Sequence, residues 1–350
     1  MGYLEKNKIS YYSFILSVLV ILVHSINMPN IYKIFSFENI FGIEYIGSIA
    51  APGFFIVSGF LFFVNINKND TIKVVINKMK KRWNTVLLPF LMWNAIYYII
   101  KLIYELLITK KWTFDGNGFF DAVFNYADSP HLWFLYQLIL LIVITPIIFY
   151  VLKNKVSCII FLIIISILQI LNIRVYRINN DALIYFYVGA YLSSLYNKYD
   201  ISLINKKGIL ITLPLAIGSF FIYRFLMSLS FKGMNTAGLG IYFLVLMRLF
   251  CALSLFYFID LLIDYRKKKD YLNYTFFIYC FHYLVARFML FIIYAVYYKK
   301  VMGAGTIPDI YISNIYFVFT GVVVLVVSIV FAKLMKRLFP KYYNMLTGGR

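Results

Sequence analysis

Long apolar segments alternate with short polar ones along the whole chain. Each apolar segment comes close to the roughly 20 residues that an α-helix needs to cross the hydrocarbon core of a bilayer. Backbone polar groups in hydrocarbon must be paired within their own segment, so the segments are predicted to be helices. We predict ten transmembrane spans, at residues 10–28, 46–66, 86–108, 132–152, 156–173, 182–197, 208–229, 238–260, 273–298 and 311–333.

The polar segments between the spans are short. None is long enough for a separate soluble domain, and the sequence shows no internal repeat. We therefore predict an all-α, polytopic membrane protein, organised as a single transmembrane domain over residues 1–350. Because no small-x-small cleavage pattern follows the first span, we expect it to be retained rather than removed as a signal peptide.

Composition agrees with this pattern and narrows the possible chemistry. Hydrophobic residues make up 63% of the chain and charged residues only 14%, against about 25% charged residues in soluble domains. The three cysteines, Cys158, Cys251 and Cys280, all lie in apolar segments and lack the spacing of metal ligands. We expect no disulfide framework, no bound metal and no permanently bound cofactor.

The formal net charge of +20 has a topological explanation. With the N-terminus placed inside, the ten spans put 22 of the 34 Lys and Arg residues in inner segments, eight in outer segments and four within spans. An excess of basic residues on the cytoplasmic side is the positive-inside rule. We predict cytoplasmic termini, a multi-pass location in the cell membrane and lipids as partners, and we do not expect nucleic acid.

The three histidines lie within spans or at their outer edge. His24 falls in the outer half of span 1, His131 at the outer start of span 4, and His282 near the middle of span 9. Polar groups at this depth usually face other helices or a wet cavity. Each imidazole is therefore either an interhelical hydrogen bonder, worth about 1 kcal/mol, or a functional group.

Other ionisable side chains within the spans need partners. Lys101 and Glu105 are four residues apart on span 3 and can neutralise each other. Arg248 and Arg287 have no carboxylate three or four residues away. Their counter-charge must come either from another helix or from an anionic ligand.

A basic run that ends in Lys80, Lys81 and Arg82 precedes span 3. The positive-inside rule and lipid headgroups explain most such runs. A phosphate site at the inner mouth is the functional alternative, and the planar guanidinium of Arg82 suits bidentate phosphate binding. In span 2, Gly53 and Gly59 allow a neighbouring helix to approach closely.

Five short motifs, each weak alone, occur in order along this frame: LVILVHS, FFIVSGFLF, KMKKRWNTVLLPFLMWN, HLWFLYQLI and FFIYCFHYL. Together they resemble the acyltransferase-3 family of integral membrane O-acyltransferases, over essentially the whole chain. The resemblance implies a ten-helix domain that takes an acyl group, often acetyl, from cytoplasmic acyl-coenzyme A as donor substrate. The acceptor it implies is a hydroxyl of a surface or exported polysaccharide, or of a lipid-linked sugar.

The resemblance also implies roles for individual residues. It makes His24 the catalytic histidine and associates Arg82, with Lys81 and Lys80, with the donor. The chain departs from the family at Ser13, where an arginine or lysine is usual eleven residues before the histidine. A divergent subfamily, a substitute cation and reduced activity are all compatible with this departure.

We expect His24 to act as a general base on the acceptor hydroxyl, or to carry the acyl group itself. Arg287, His282 or a tyrosine hydroxyl could stabilise the developing oxyanion. The catalytic candidates are therefore His24, His282 and Arg287, and the candidates for binding the acceptor are His131, Trp133 and Arg248.

Three other functions fit a chain of this kind. A transporter or flippase for a glycan or lipid-linked intermediate would often show paired broken helices and repeats, which the sequence lacks. A glycan polymerase or ligase would usually present a long outer loop, whereas the longest predicted here is residues 109–131. A membrane scaffold or sensor that has lost the chemistry stays open because of Ser13.

Overall fold

The computed structural model describes residues 1–26, 48–199, 202–301 and 309–349. These residues form helices joined by turns, with no β-strand among them, which confirms the predicted all-α membrane fold. The helices are α1 (Tyr3–Ile26), α2 (Ala50–Phe63), α3 (Ile72–Arg82), α4 (Leu88–Thr109), α5 (Gly116–Asn125), α6 (Trp133–Val143), α7 (Thr145–Leu152), α8 (Lys155–Ile170), α9 (Asn180–Tyr199), α10 (Ile209–Phe231), α11 (Ala237–Leu262), α12 (Thr275–Val301), α13 (Asp309–Leu338) and α14 (Pro340–Thr347).

Every predicted span falls on one or two of these helices. In the described part of the chain, five helical segments are long and apolar enough to cross a membrane: Tyr3–His24, Ile72–Thr109, Lys206–Phe231, Ala237–Leu262 and Phe319–Leu338. The bent pair α6 and α7 makes a sixth if it counts as one span. The count of ten spans and the cytoplasmic termini stay predictions.

The predicted span 132–152 differs from a single straight helix, because α6 and α7 meet at a bend of 56°. Pro146 lies in the first turn of α7. It has no backbone N–H to continue the hydrogen-bond ladder, and its ring crowds the preceding turn. The proline therefore accounts for the break.

The described residues divide into two compact units. The first comprises Met1–Tyr12 and Ala51–Lys268, and the second comprises Ser13–Ala50 and Lys269–Arg350. The single domain over residues 1–350 stays a prediction. The predicted first outer loop, which carries Lys33, lies outside the described residues.

In the first unit, α2 and α9 cross at a glycine on each side. A Cβ built on Gly59 would lie 2.0 Å from the carbonyl oxygen of Phe186, and one built on Gly189 would lie 2.0 Å from the carbonyl oxygen of Ile56. No side chain fits in either gap, so the two backbones are in direct contact, as at other small-residue crossings. The close approach predicted for span 2 is thus found at Gly59.

The polar loops of the first unit gather into two groups. Among loops predicted to lie inside, Lys153 Nζ is 3.4 Å from the carbonyl oxygen of Asp70. Among those predicted to lie outside, an Arg177 guanidinium nitrogen donates to Asn125 Oδ1 at 2.7 Å. This grouping is the one that an alternation of inside and outside loops requires.

The predicted pairing of Lys101 with Glu105 is replaced by other contacts. Lys101 Nζ forms an ion pair with Asp128 Oδ1 at 2.7 Å. Glu105 instead accepts a hydrogen bond from the Thr113 hydroxyl at 2.5 Å. The predicted outer segment 109–131 therefore supplies both partners, which the helix spacing alone does not reveal.

Lys8 and Asp260 form a buried ion pair in the first unit. Both side chains are fully buried, and Lys8 Nζ lies 2.7 Å from Asp260 Oδ2. Lys8 also donates to the carbonyl oxygen of Leu203, while the carboxylate accepts from the backbone N–H of Asn205 and from the Tyr265 hydroxyl. A buried ion pair is tolerated when its remaining hydrogen-bonding groups are satisfied in this way.

The second unit is held by stacked aromatic rings. Phe281 on α12 stacks on Phe331 of α13, with ring centroids 4.6 Å apart and planes within 7°. Phe277, one turn earlier on α12, stacks on Tyr343 of α14 with centroids 5.5 Å apart. These rings join the three helices that follow residue 274.

Replacing Gly59 with leucine should disrupt the first unit. A leucine side chain cannot fit between α2 and the backbone of α9, and overpacking a well-packed core costs about 1–3 kcal/mol or more. We expect a large fall in unfolding temperature of the detergent-purified protein, or loss of folded protein. Gly218→Ala is the matched control, because nothing lies within 4 Å of a Cβ there. An unchanged unfolding temperature in Gly59→Leu would refute the direct backbone contact.

Removing one partner of the buried ion pair should be costly. Lys8→Met leaves the Asp260 carboxylate buried without its counter-charge, and we expect a loss of about 3–5 kcal/mol of unfolding free energy. The double variant Lys8→Met/Asp260→Leu should recover much of that loss. The exposed Lys6→Met serves as the control in the same unfolding measurement, and equal effects at the two lysines would contradict the burial described for Lys8.

Candidate active site

The second unit brings two of the chain's three histidines together. His24 lies in the last turn of α1, and His282 lies on α12. Their ring centroids are 5.2 Å apart, with the planes tilted by 38°. His24 is partly exposed, whereas His282 is fully buried. A pair of imidazoles far apart in sequence is therefore assembled by packing of the first helix against α12.

The contacts of His282 define its tautomer. Its Nδ1 lies 2.6 Å from the carbonyl oxygen of Tyr279 and 3.3 Å from that of Ile278, both on the preceding turn of α12. A carbonyl oxygen can only accept a hydrogen bond, so Nδ1 carries the proton. In the neutral ring, Nε2 is then the acceptor nitrogen. The helix itself holds the ring in this orientation.

Tyr283 and Arg287 complete the group, which we call the histidine cluster (His24, His282, Tyr283 and Arg287). The Tyr283 ring packs edge-on against His24, with centroids 5.5 Å apart. Its hydroxyl accepts hydrogen bonds from Arg287 Nε at 2.9 Å and from a terminal guanidinium nitrogen at 2.5 Å. The Arg287 side chain is exposed, and its guanidinium lies 5.0 Å from the tyrosine ring centroid.

This cluster contains the groups that acyl transfer requires. A neutral imidazole can accept a proton from a hydroxyl, and it is the most frequent general base in enzymes. A guanidinium and a phenol hydroxyl can donate hydrogen bonds to an oxygen that becomes negatively charged. All three predicted catalytic residues, His24, His282 and Arg287, lie here, and their roles stay predictions.

The residues predicted to bind the donor form the last turn of α3, in the first unit. Lys80 and Lys81 are exposed and Arg82 is partly buried. None of them forms an ion pair with a described carboxylate. The helical segment continues beyond Arg82 to Thr109, so no helix end accounts for these cations. The positive-inside rule gives them a structural explanation beside the predicted role.

His131 and Trp133 lie at the start of α6, also in the first unit. His131 is buried in the 3₁₀ turn Pro130–Leu132, and its ring packs edge-on against Tyr97 with centroids 4.9 Å apart. Trp133 is partly exposed and lies 6.0 Å from the Phe55 ring. Both side chains contribute to packing, and their part in acceptor binding stays a prediction.

Arg248 lies within α11, a helix long and apolar enough to cross a membrane. Its Nε is buried without a hydrogen-bond partner among the described residues, and no described carboxylate pairs with it. The sequence allows the counter-charge of Arg248 to come from another helix or from an anionic ligand. In the described part of the chain, no other helix supplies it. An anionic ligand for Arg248 stays a prediction.

The sequence motifs do not point to two of the residues in these contacts, Tyr283 and Asp260. Tyr283 had an available signal, because it directly follows His282 and precedes Arg287 by four residues, the spacing of neighbours on one helix face. Asp260 has no such sequence signal, because a lone acidic residue at the end of an apolar segment resembles an ordinary loop residue. Its partner Lys8 is at the other end of the chain.

The chain matches one known protein family. The acyltransferase-3 family model, described as an acyltransferase domain, matches residues 14–333, nearly the whole chain. No curated protein and no solved structure gives a significant match.

Proposed function

We propose, since the chain belongs to the acyltransferase-3 family and is in general terms a membrane acyltransferase, that it transfers an acyl group from cytoplasmic acyl-coenzyme A to a hydroxyl of a surface or exported polysaccharide. Acetyl is the acyl group we propose, and a lipid-linked sugar is a second form of the acceptor. The proposed location is the cell membrane, which the apolar helices support in general terms.

The observation that carries this proposal is the contact between His24 and His282. Two imidazoles 5.2 Å apart, with Tyr283 and Arg287 beside them, are costly to place among apolar helices if they do nothing. A single imidazole would be enough to form a hydrogen bond between helices. The cluster holds both a proton acceptor and donors for a negative oxygen, which are the two requirements of acyl transfer.

In the proposed reaction His24 accepts the proton of the acceptor hydroxyl as its oxygen attacks the thioester carbonyl. A C–O bond forms, and the carbonyl oxygen becomes negative. The hydrogen-bonded pair Tyr283 and Arg287 would supply the donors for that oxygen. The C–S bond then breaks, and the proton passes from His24 to the sulfur of coenzyme A. His282, held by its own helix, keeps the His24 ring in position.

A second route has His24 itself as the nucleophile. The imidazole would take the acyl group, release coenzyme A, and then pass the group to the acceptor. Both routes use the same residue and give the same products. Trapping of acyl-labelled protein in the absence of acceptor distinguishes them.

Residues of the first unit are proposed to bind the donor and the acceptor. Lys80, Lys81 and Arg82 are proposed to bind the phosphates of coenzyme A, because three cations without described carboxylate partners attract an anion. The acceptor is proposed to contact His131, Trp133 and Arg248. Arg248 would suit an acidic sugar, since its buried Nε has no described partner.

Substituting His24 with alanine should abolish acyl transfer without preventing folding. Loss of a general base typically costs about 10²–10⁴-fold in rate. The assay measures transfer of radiolabel from acyl-coenzyme A to acceptor in proteoliposomes. Ser17→Ala, on the same helix, is the control and should keep its activity. Wild-type rates in His24→Ala would refute the proposed mechanism, and acceptor crossing the bilayer unlabelled would indicate a transporter instead.

Substituting Arg82 with alanine should weaken binding of acyl-coenzyme A more than it slows the chemical step. Removing one charge-assisted hydrogen bond costs about 1.5–3 kcal/mol, so we expect KM for acyl-coenzyme A to rise by roughly tenfold or more with kcat little changed. Lys73→Ala, an exposed lysine nearer the start of α3, is the matched control. A fall in kcat at constant KM would show that Arg82 does not bind the donor.

A further inference from the structure

The short helix α5, which follows α4 in the first unit, has three chemically different faces. An α-helix turns by about 100° per residue, which groups its side chains into such faces. The core face is Phe119, Ala122 and Val123, the aromatic face is Phe120 and Phe124, and the polar face is Asn117, Asp121 and Asn125. Side chains of the core face are buried or partly buried, whereas both rings of the aromatic face are exposed.

The core face fixes α5 to α4. Ala122 packs in one cluster with Tyr98 and Leu102 of α4, and the Phe119 ring lies edge-on to Tyr98 with centroids 5.5 Å apart. The Asp115 carboxylate caps the start of the helix by accepting from two backbone N–H groups of its first turn, at 3.2 and 2.8 Å. The directions of the other two faces are therefore set by α4.

The polar face has partners within the protein. Asn125 Nδ2 donates to Asp121 Oδ1 at 2.8 Å, and an Arg177 guanidinium nitrogen donates to Asn125 Oδ1 at 2.7 Å. Arg177 belongs to a segment predicted to lie outside the membrane. The polar face is therefore on the side of α5 that is turned toward the outer polar loops.

The aromatic face has no such cover. Phe120 is 63% exposed and Phe124 is 50% exposed. Their rings stack on each other, with centroids 5.8 Å apart and planes within 14°. Among the described residues, the one further ring in contact with this pair is that of Phe119, on the same helix. Two adjacent apolar rings are thus left for a partner outside the chain.

The part of α4 that holds α5 has both apolar and charged exposed side chains. Ile99, Ile103 and Leu107 are exposed and spaced four residues apart, which makes an apolar stripe on a helix able to cross a membrane. Lys101, in the same turns, forms its partly exposed ion pair with Asp128. Apolar and charged groups meet in this way at the boundary between hydrocarbon and water, where aromatic side chains are also enriched.

We propose that α5 is an interfacial helix, which lies in the outer surface of the membrane with the rings of Phe120 and Phe124 inserted between lipid acyl chains. The polar face then points to water, as in other amphipathic helices that bind a membrane surface. Lipid is the partner that fits, because the aromatic face lies beside the apolar stripe of α4. Since α5 contains no Lys or Arg, the contact depends on the rings and not on anionic headgroups.

The test measures the depth of each face of α5 in single copies of the full chain, reconstituted in phosphatidylcholine nanodiscs. A nitroxide label is attached to Phe120→Cys, Phe124→Cys or Asn117→Cys, and its collision rates with oxygen and with a water-soluble nickel chelate are measured. Oxygen concentrates in hydrocarbon and the chelate stays in water, so the ratio of the two rates reports depth. The chain without a new cysteine gives the background from Cys158, Cys251 and Cys280.

The oxygen-to-nickel ratio at Phe120→Cys and at Phe124→Cys should exceed the ratio at Asn117→Cys several-fold. Asn117 is the matched control, because it is exposed on the polar face of the same helix. Ile217→Cys, at an exposed position within the apolar segment Lys206–Phe231, gives the reference value for hydrocarbon.

Equal ratios on the aromatic and polar faces would refute the proposal, whether both match water or both match the hydrocarbon reference. If the aromatic face is shielded from nickel only in nanodiscs that hold two copies, it binds a second copy of the chain. If it is shielded only after polysaccharide from the source cells is added, it binds a glycan. Either result would overturn the assignment to lipid, and none of these outcomes depends on acyltransferase activity.

Discussion

A charged side chain among apolar helices must find a partner, and this requirement organises the polar residues of the protein. Lys8 is paired with Asp260 in the first unit, with both side chains fully buried. Lys101 is paired with Asp128 at 2.7 Å. Arg248 breaks this pattern, because its Nε is buried without a described partner. The two ion pairs give their charges a partner within the protein, which a charge among apolar helices requires.

Close helix packing depends on a second constraint, the absence of side chains at a crossing. Gly59 and Gly189 face the backbones of α9 and α2, where a Cβ would lie 2.0 Å from a carbonyl oxygen. In a membrane the lipid competes with other helices for apolar contact, so association relies on this kind of fit. The two glycines position α9 against α2.

The histidine cluster combines these constraints with chemistry. His24 and His282 come from helices at opposite ends of the chain, and Tyr283 joins His24 to Arg287. Carbonyl groups of its own helix accept from Nδ1 of His282 and define the orientation of its ring. A site built on helices rather than loops keeps its geometry.

The sequence by itself determined the helical membrane fold, because only helices satisfy the backbone in hydrocarbon and apolar segments of that length are visible directly. It also identified the residue types of the proposed site and the family. Only the tertiary structure decided the partners: Asp260 for Lys8, Asp128 rather than Glu105 for Lys101, and His282 for His24. Helical periodicity specifies neighbours three or four residues apart, whereas contacts between helices depend on packing that no local spacing encodes.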